Sequence, residues 1–187
     1  MTVREGPSLQ PHAMTVGELL DIAALQRLAW TYCHAVDRRD YVLLRSLYHD
    51  DAIDDHGAMF CGTPDEYVAW LPTMMARWQA TSHAIGNSLF LIEDDRAEGE
   101  LLTTAYHRSL EGTQELIAHG RYLDRYEKRA GVWKFLRRSL VLDWVSERSV
   151  AAPIETVGSG LGVPLGQASA EDPCYGRLPM FERQRRG

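Results

Sequence analysis

No stretch of this 187-residue chain approaches ~18 consecutive apolar residues, so no segment reads as a membrane-spanning helix. A basic excess is missing too. The formal net charge is −6, the wrong sign for a surface that grips nucleic-acid phosphates. The three cysteines, Cys33, Cys61 and Cys174, are scattered and show no CxxC spacing. Such a set fits reduced thiols in a cytosol rather than a disulfide framework or a zinc site. There is no glycine-rich phosphate loop and no GxSxG, so nucleotide and serine-hydrolase chemistry find no support. The N-terminus also lacks a basic segment followed by an apolar core, and the expected location is the cytoplasm. What is present is ordinary globular composition, 45% hydrophobic and 25% charged, at a length that suits one domain with a real core.

Three regions follow from the patterning. Residues 1–15 hold Gly6, Pro7 and Pro11 without periodicity and read as a loose leader. Residues 16–149 carry the periodic segments, and 150–187, rich in glycine and proline, read as an extended or partly disordered tail. Within the domain, Val16–Val36 reads as a helix. Leu19, Ile22, Ala23, Gln26, Ala29, Trp30, Cys33 and Val36 recur at three- and four-residue steps. Asp37-Arg38-Arg39-Asp40 reads as a turn, and a short helix over Tyr41–Tyr48 precedes a polar run at His49-Asp50-Asp51. Residues 52–60 read as a short extended pair turning at Gly57. Thr63-Pro64-Asp65-Glu66 is a capping box with proline at the first helical position. The helix it starts buries Tyr67, Leu71, Met75 and Trp78, and Pro72 should kink it.

The period then changes from 3.6 to 2. Strands are expected over 83–92, 99–110, 114–129 and 132–148, joined by short turns into an antiparallel meander. Strands this long must twist and curl. The fold class is therefore α+β: a cone-shaped, curled antiparallel sheet closed by the N-terminal helices.

A curled sheet roofed by helices makes an apolar pocket, and polar side chains aimed into it need partners. His83 heads the first long strand, with Ile85, Asn87 and Leu89 expected on its side. Asp37 follows the helix face of Ala29, Trp30 and Cys33. A carboxylate at a helix C-terminus is unfavourable there without a donor, and His83 is the natural one. If Asp37 accepts the Nδ1 proton, Nε2 is left as a base near neutral pH. Tyr32 could protonate a leaving group or hold an oxyanion, although it lies about 140° around the helix from Asp37. His107 and His119 fall on adjacent strands, with Arg121 on the face of His119. Arg138 is expected to point opposite to Trp133 and Phe135. Among the seven histidines, His49 and Asp51 form an HxD spacing, but no third ligand stands out and no metal is expected.

Three stretches carry a family resemblance: Tyr32-Cys-His-Ala-Val-Asp37 through Arg45, His83-Ala-Ile-Gly-Asn87, and Arg121 through Gly131-Val-Trp-Lys-Phe135. Together they resemble the SnoaL-like branch of the nuclear transport factor 2-like superfamily, over roughly residues 16–147. The resemblance implies a cone-shaped barrel with a deep pocket. Members such as scytalone dehydratase, hexachlorocyclohexane dehydrochlorinase and bile acid 7α-dehydratase use an Asp–His pair, and Asp37 and His83 match its positions. Tyr32 resembles the tyrosine of the bile acid enzyme, and Arg138 an arginine of the dehydrochlorinase. The dehydrochlorinase has a lysine in place of Tyr32, which points away from dechlorination.

The implied activity is that of a cofactor-independent lyase of dehydratase type acting on a hydrophobic cyclic small molecule. His83, Asp37 and Tyr32 would be catalytic, with Arg138, His119, His107, Asn87 and Trp30 contacting substrate. The resemblance further implies a homo-oligomer, a trimer before a dimer. An isomerase with the same dyad, or a non-catalytic binding subunit like the β-subunit of ring-hydroxylating dioxygenases, is the alternative.

Overall fold

The structure is a computed structural model and describes residues 8–150, 160 and 162–186. Residues 1–7 of the leader and most of 151–161 lie outside the described residues. Helix α1 spans Val16–Asp37. It begins where Thr15 accepts the backbone N–H of Glu18, a side-chain cap that satisfies one orphan donor of the first turn. Helix α2 (Tyr41–Ser46) is capped in the same way by Asp40. Helix α3 (Pro64–Met75) starts with the reciprocal Thr63–Glu66 capping box and runs on through Pro72.

Six strands follow and interleave: β1 (Tyr48–Asp55), β2 (Cys61–Gly62), β3 (Trp78–Glu93), β4 (Arg96–Ser109), β5 (Gln114–Arg129) and β6 (Val132–Ser149). They form one curled, unclosed sheet in the order β2-β1-β6-β5-β4-β3. The four long strands are the expected meander. Ala130 and Gly131 both take positive φ at the β5–β6 turn, the backbone that a tight hairpin needs. Two expectations are corrected. Strand β1 starts at Tyr48, within the expected helix end and polar run, and takes in the first half of the expected extended pair; it pairs parallel with β6, so the sheet is mixed. Strand β3 starts five residues before His83, at Trp78.

Helix α1 lies across the concave face. Its buried side is Leu25, Leu28, Ala29, Tyr32, Ala35 and Val36, packed with Leu101, Tyr122, Tyr126, Trp133 and Phe135 of the sheet. The expected face is therefore rotated: Leu19 and Trp30 stand exposed. The interior of the curl is filled by aromatic rings. Tyr32, Tyr48, Tyr126 and Phe135 are all but fully buried there, and Phe135 lies 5.1–6.0 Å, ring to ring, from each of the other three.

Bulges decide which side chains point inward. One inserts a residue in β3 between Ile85 and Ser88. Beyond it Ser88, Phe90 and Ile92 take the inward positions, while Asn87 and Leu89 are exposed, so neither shares the face of His83 as expected. Another inserts Leu136 into β6 opposite Arg125 and Tyr126. That shift turns Arg138 to the same inner face as Trp133 and Phe135, against expectation, because an extra residue flips everything after it. A third lies at His119/Gly120, where a Cβ on Gly120 would run into the Val141 carbonyl; only glycine fits.

The tail is also not uniformly extended. Its described part forms α4 (Pro173–Arg177) and α5 (Pro179–Arg186), and Tyr175 is buried against His34 of α1. No helix among the described residues is long and apolar enough to cross a membrane.

Candidate active site

Asp37 is the last residue of α1, where the helix end is already negative. Three donors converge on its carboxylate. His83 Nδ1 lies 2.7 Å from Oδ1, the His83 backbone N–H donates to Oδ2 at 2.9 Å, and Thr81 Oγ1 donates to Oδ1 at 2.9 Å. Burial by itself would push this carboxyl up, but the His83 ring, its backbone N–H and Thr81 outweigh it and hold the group below the usual carboxylate range. An ionised carboxylate can only accept, so in the neutral ring the His83 proton sits on Nδ1 and Nε2 carries the lone pair.

Arg39 fixes the junction from behind. It takes a left-handed φ of 57° just past the helix end and reaches Val36 O, Thr81 Oγ1, Met75 O and Trp78 O at 3.2–3.5 Å. Neither Thr81 nor Arg39 was singled out by the sequence patterning. Thr81 could have been, since it precedes His83 by two and must share its face.

A cavity of about 350 Å³ opens beside the pair. Trp30, Cys33, His34, Asp37 and Arg38 line it from α1, and His83, Ala84 and Ile85 from β3. The helical residues fall at steps of three and four, a single stripe. Trp30 is 58% exposed and marks the lip. This cavity lies at the β3 edge of the sheet rather than deep in the cone, whose interior the aromatic rings occupy.

His107 stands edge-on to His83, ring centroids 5.5 Å apart, with Trp78 at 4.9 Å on its other flank. Burial, reinforced by His83, pushes its pKa down to about 4, so it is neutral at pH 7. Its Nδ1 is buried and makes no hydrogen bond among the described residues.

The remaining expected site residues lie elsewhere. Tyr32 falls on roughly the opposite side of α1 from the cavity stripe, and its hydroxyl meets that of Tyr67 at 2.7 Å in the core. Burial, with Tyr67 and Tyr122 adding to it, raises its pKa well above the ordinary phenol value, so it stays protonated. Arg138 has no exposed surface. Its Nε and Nη2 donate to Asp124 at 2.9 and 2.7 Å, and its guanidinium lies 4.0 Å from both the Tyr32 and Tyr122 ring centres. Burial opposes the charge, but Asp124 outweighs it and the arginine remains a cation.

Asp54, equally buried, accepts from Tyr48 at 2.5 Å and lies 2.7 Å from His56. The sequence patterning missed Asp54, Asp124 and Tyr122, and placed Tyr67 only as a buried residue of its helix. His119 pairs with Trp144 across the outer face, stacks on it at 3.8 Å and contacts Thr104, away from His107 and the cavity. Arg121, on the same face, is tied to Asp143 and Glu100. The HxD residues are dispersed: His49 contacts the Glu127 carbonyl, Asp50 pairs with Arg45 and Asp51 with Arg129. Among the described residues no three His, Cys, Asp or Glu side chains are grouped to hold a metal.

A curled sheet crossed by an N-terminal helix, with a strand histidine held by that helix's last carboxylate beside a small cavity, defines an α+β domain of nuclear transport factor 2-like architecture. The chain belongs to the SnoaL-like domain family, whose profile matches residues 17–139. No curated protein sequence matches it. Among solved structures it is similar to a candidate scytalone dehydratase from Novosphingobium aromaticivorans. That match has 27% identity and a TM-score of 0.67, over 75% of this chain and 97% of that one. A hexachlorocyclohexane dehydrochlorinase of type 2 matches at 24% identity and a TM-score of 0.65, over 73% and 95% of the two chains. A type 3 form from Novosphingobium barchaimii matches at 24% and 0.64, over 72% and 92%. At these identities the two dehydrochlorinases speak to the fold alone.

Proposed function

We propose that this protein is a cofactor-independent lyase that removes water from a small, hydrophobic, cyclic β-hydroxy carbonyl compound. The observation that carries the reading is the 2.7 Å contact between Asp37 and His83 on the wall of a cavity. Its volume, about 350 Å³, is at the low end of the ~300–1,000 Å³ usual for small-molecule sites and suits one or two rings. Trp30, Cys33, Ala84 and Ile85 offer the apolar part of the lining.

His83 Nε2 takes the proton from the carbon next to the carbonyl. The C–H electron pair becomes the new double bond as the C–O bond breaks. Hydroxide departs with the C–O pair and, on the same face, receives the proton from His83 Nε2 and leaves as water. Asp37 holds the ring and offsets the charge of the transient imidazolium. General-base catalysis contributes about 10²–10⁴-fold, so orientation in the cavity supplies much of the remainder. His107, neutral and edge-on, packs against the His83 ring from outside the cavity lining.

A second reading rests on Tyr32. With its phenol on the other side of α1, no tyrosine among the described residues lines the cavity, and an isomerase, which only returns the proton to another carbon, needs none. One assay separates the two. Incubation with a panel of cyclic β-hydroxy ketones and β,γ-unsaturated ketones, read by mass spectrometry, should show loss of 18 Da for the lyase and an isobaric product for the isomerase. Binding without turnover by either class would leave a non-catalytic binding subunit. The exposed Leu102, Leu123 and Trp144 on the sheet support a homo-oligomer, and the family resemblance favours a trimer before a dimer; light scattering reads the state directly.

A further inference from the structure

The segment beyond the matched domain does not stand apart from the cavity. Helix α1 presents His34 and Arg38 to the cavity wall, and both are held by residues of the tail. Tyr175 OH lies 3.4 Å from His34 Nε2, with the two rings edge to face at 6.2 Å. Phe181 sets its ring edge against the same histidine at 5.9 Å. Asp172 Oδ2 lies 3.4 Å from Arg38 Nε.

These tail residues are themselves well fixed. Tyr175 and Asp172 are each 5% exposed. Asp172 also caps α4 through the Cys174 N–H at 2.9 Å and accepts the Gln167 N–H at 2.8 Å. Burial pulls the His34 pKa down, which leaves the ring neutral and able to accept the tyrosine proton. The segment carries a second hollow, of about 580 Å³, walled by Asp172 and Tyr175, which reach the first only through Arg38 and His34. Two side-chain contacts, His34–Tyr175 and Arg38–Asp172, therefore stand between two hollows.

We propose that Tyr175 and Asp172 are specificity-determining residues: through His34 and Arg38 they form the outer wall of the cavity and set the size of ligand that enters it. The inference rests on the cavity being the substrate site, and deepens that reading. With the wall in place, ligands of one or two rings enter. With it removed, the two hollows join and larger ring systems are admitted. Because the segment lies outside the family domain, this selectivity belongs to this chain's own addition to the fold.

The test uses Cys33, which lines the cavity and is buried, in the full-length chain with Cys61 and Cys174 replaced by serine. Alkylation of Cys33 is followed by mass spectrometry with N-ethylmaleimide and with a bulky fluorescein maleimide. In Tyr175→Ala and Asp172→Asn, labelling by the bulky reagent should rise about tenfold or more, with a smaller rise for the compact one, while the urea midpoint holds. Equal acceleration for both reagents, or none in either variant, overturns the wall. If Tyr175→Ala fails to fold, Asp172→Asn and Phe181→Ala give the same reading. No turnover is involved, so an absent lyase activity leaves this test intact. Protection of Cys33 by a cyclic β-hydroxy ketone separately checks that the cavity is the substrate site. With an active enzyme, the same variants should lower KM for larger ring substrates by more than for the smallest.

Discussion

Two polar clusters lie on opposite sides of α1, and they are built from the same kinds of residue to opposite ends. On the cavity side, Asp37 is held by His83 and Thr81, and two ring nitrogens, His83 Nε2 and the buried Nδ1 of His107, are not engaged by hydrogen bonds among the described residues. On the core side, Arg138 and Asp124 are bound to each other twice and enclosed by Tyr32, Tyr122 and Phe135. Both are buried carboxylates held by nitrogen donors. Only the first faces a space that a molecule can occupy. Burial and charge alone do not mark a site; an available lone pair beside a cavity does.

The comparison breaks most sharply at His83. His83→Asn should lower kcat by about 10²–10⁴-fold, as loss of a general base does, while the thermal midpoint moves little. Asp124→Ala should do the reverse. It leaves Arg138 charged and alone in the core, at a cost of about 3–5 kcal/mol, visible as a large fall in the urea midpoint. If His83→Asn unfolded the protein and Asp124→Ala only slowed it, the roles of the two clusters would be exchanged.

Acid should separate them next. His107 binds its proton at about 4 in the folded chain and near its ordinary 6.5 when unfolded. Between those values the unfolded state holds more protons, so stability falls as pH drops from about 6.5 to 4. Allowing for partial exposure, the loss is about 2 kcal/mol. Asp37, whose pKa is lowered from 3.8, contributes stability above that value and loses it only at still lower pH. Urea unfolding at pH 7 and pH 4.5 measures the slope, and His107→Gln should flatten most of it. Arg138 stays charged throughout this range and adds no slope.

Much of this organisation is legible in the chain. The cap at Thr63 and the four long strands follow from local chemistry and period. Asp37 and His83 stand out because a carboxylate at a helix end needs a donor and a strand histidine can be one. The bulges are what cannot be read. A single inserted residue near Asn87 or Leu136 leaves the composition of the strand unchanged and reverses every side chain beyond it, which is why Leu89 and Arg138 face the other way. The rotation of α1 is likewise a matter of tertiary packing: Leu25 is buried against the sheet while Trp30, also a large hydrophobic, stands exposed. The tail helices are short and held by contacts with His34 and Arg38, so local propensity gives no warning of them.

Tyr32 is the residue on which family resemblance and geometry part. The resemblance gives its phenol a catalytic role; the structure turns it to the core side, bonded to Tyr67 and lying under Arg138. The effect of Tyr32→Phe should therefore be small and of the structural kind. Loss of one buried hydroxyl leaves the Tyr67 hydroxyl without its partner, at a cost of about 1–2 kcal/mol in stability. The ring, its contacts with Tyr122 and Phe135, and the guanidinium above it all remain. kcat should stay within about threefold, with its pH profile unshifted, because nothing at His83 has changed. A fall of a hundredfold or more with stability preserved would mean that α1 rotates on substrate binding and brings the phenol to the cavity. The two clusters would then be one site seen in two halves. Tyr67→Phe tells the cases apart: it removes the same hydrogen bond from the other end and should match Tyr32→Phe in stability whichever holds.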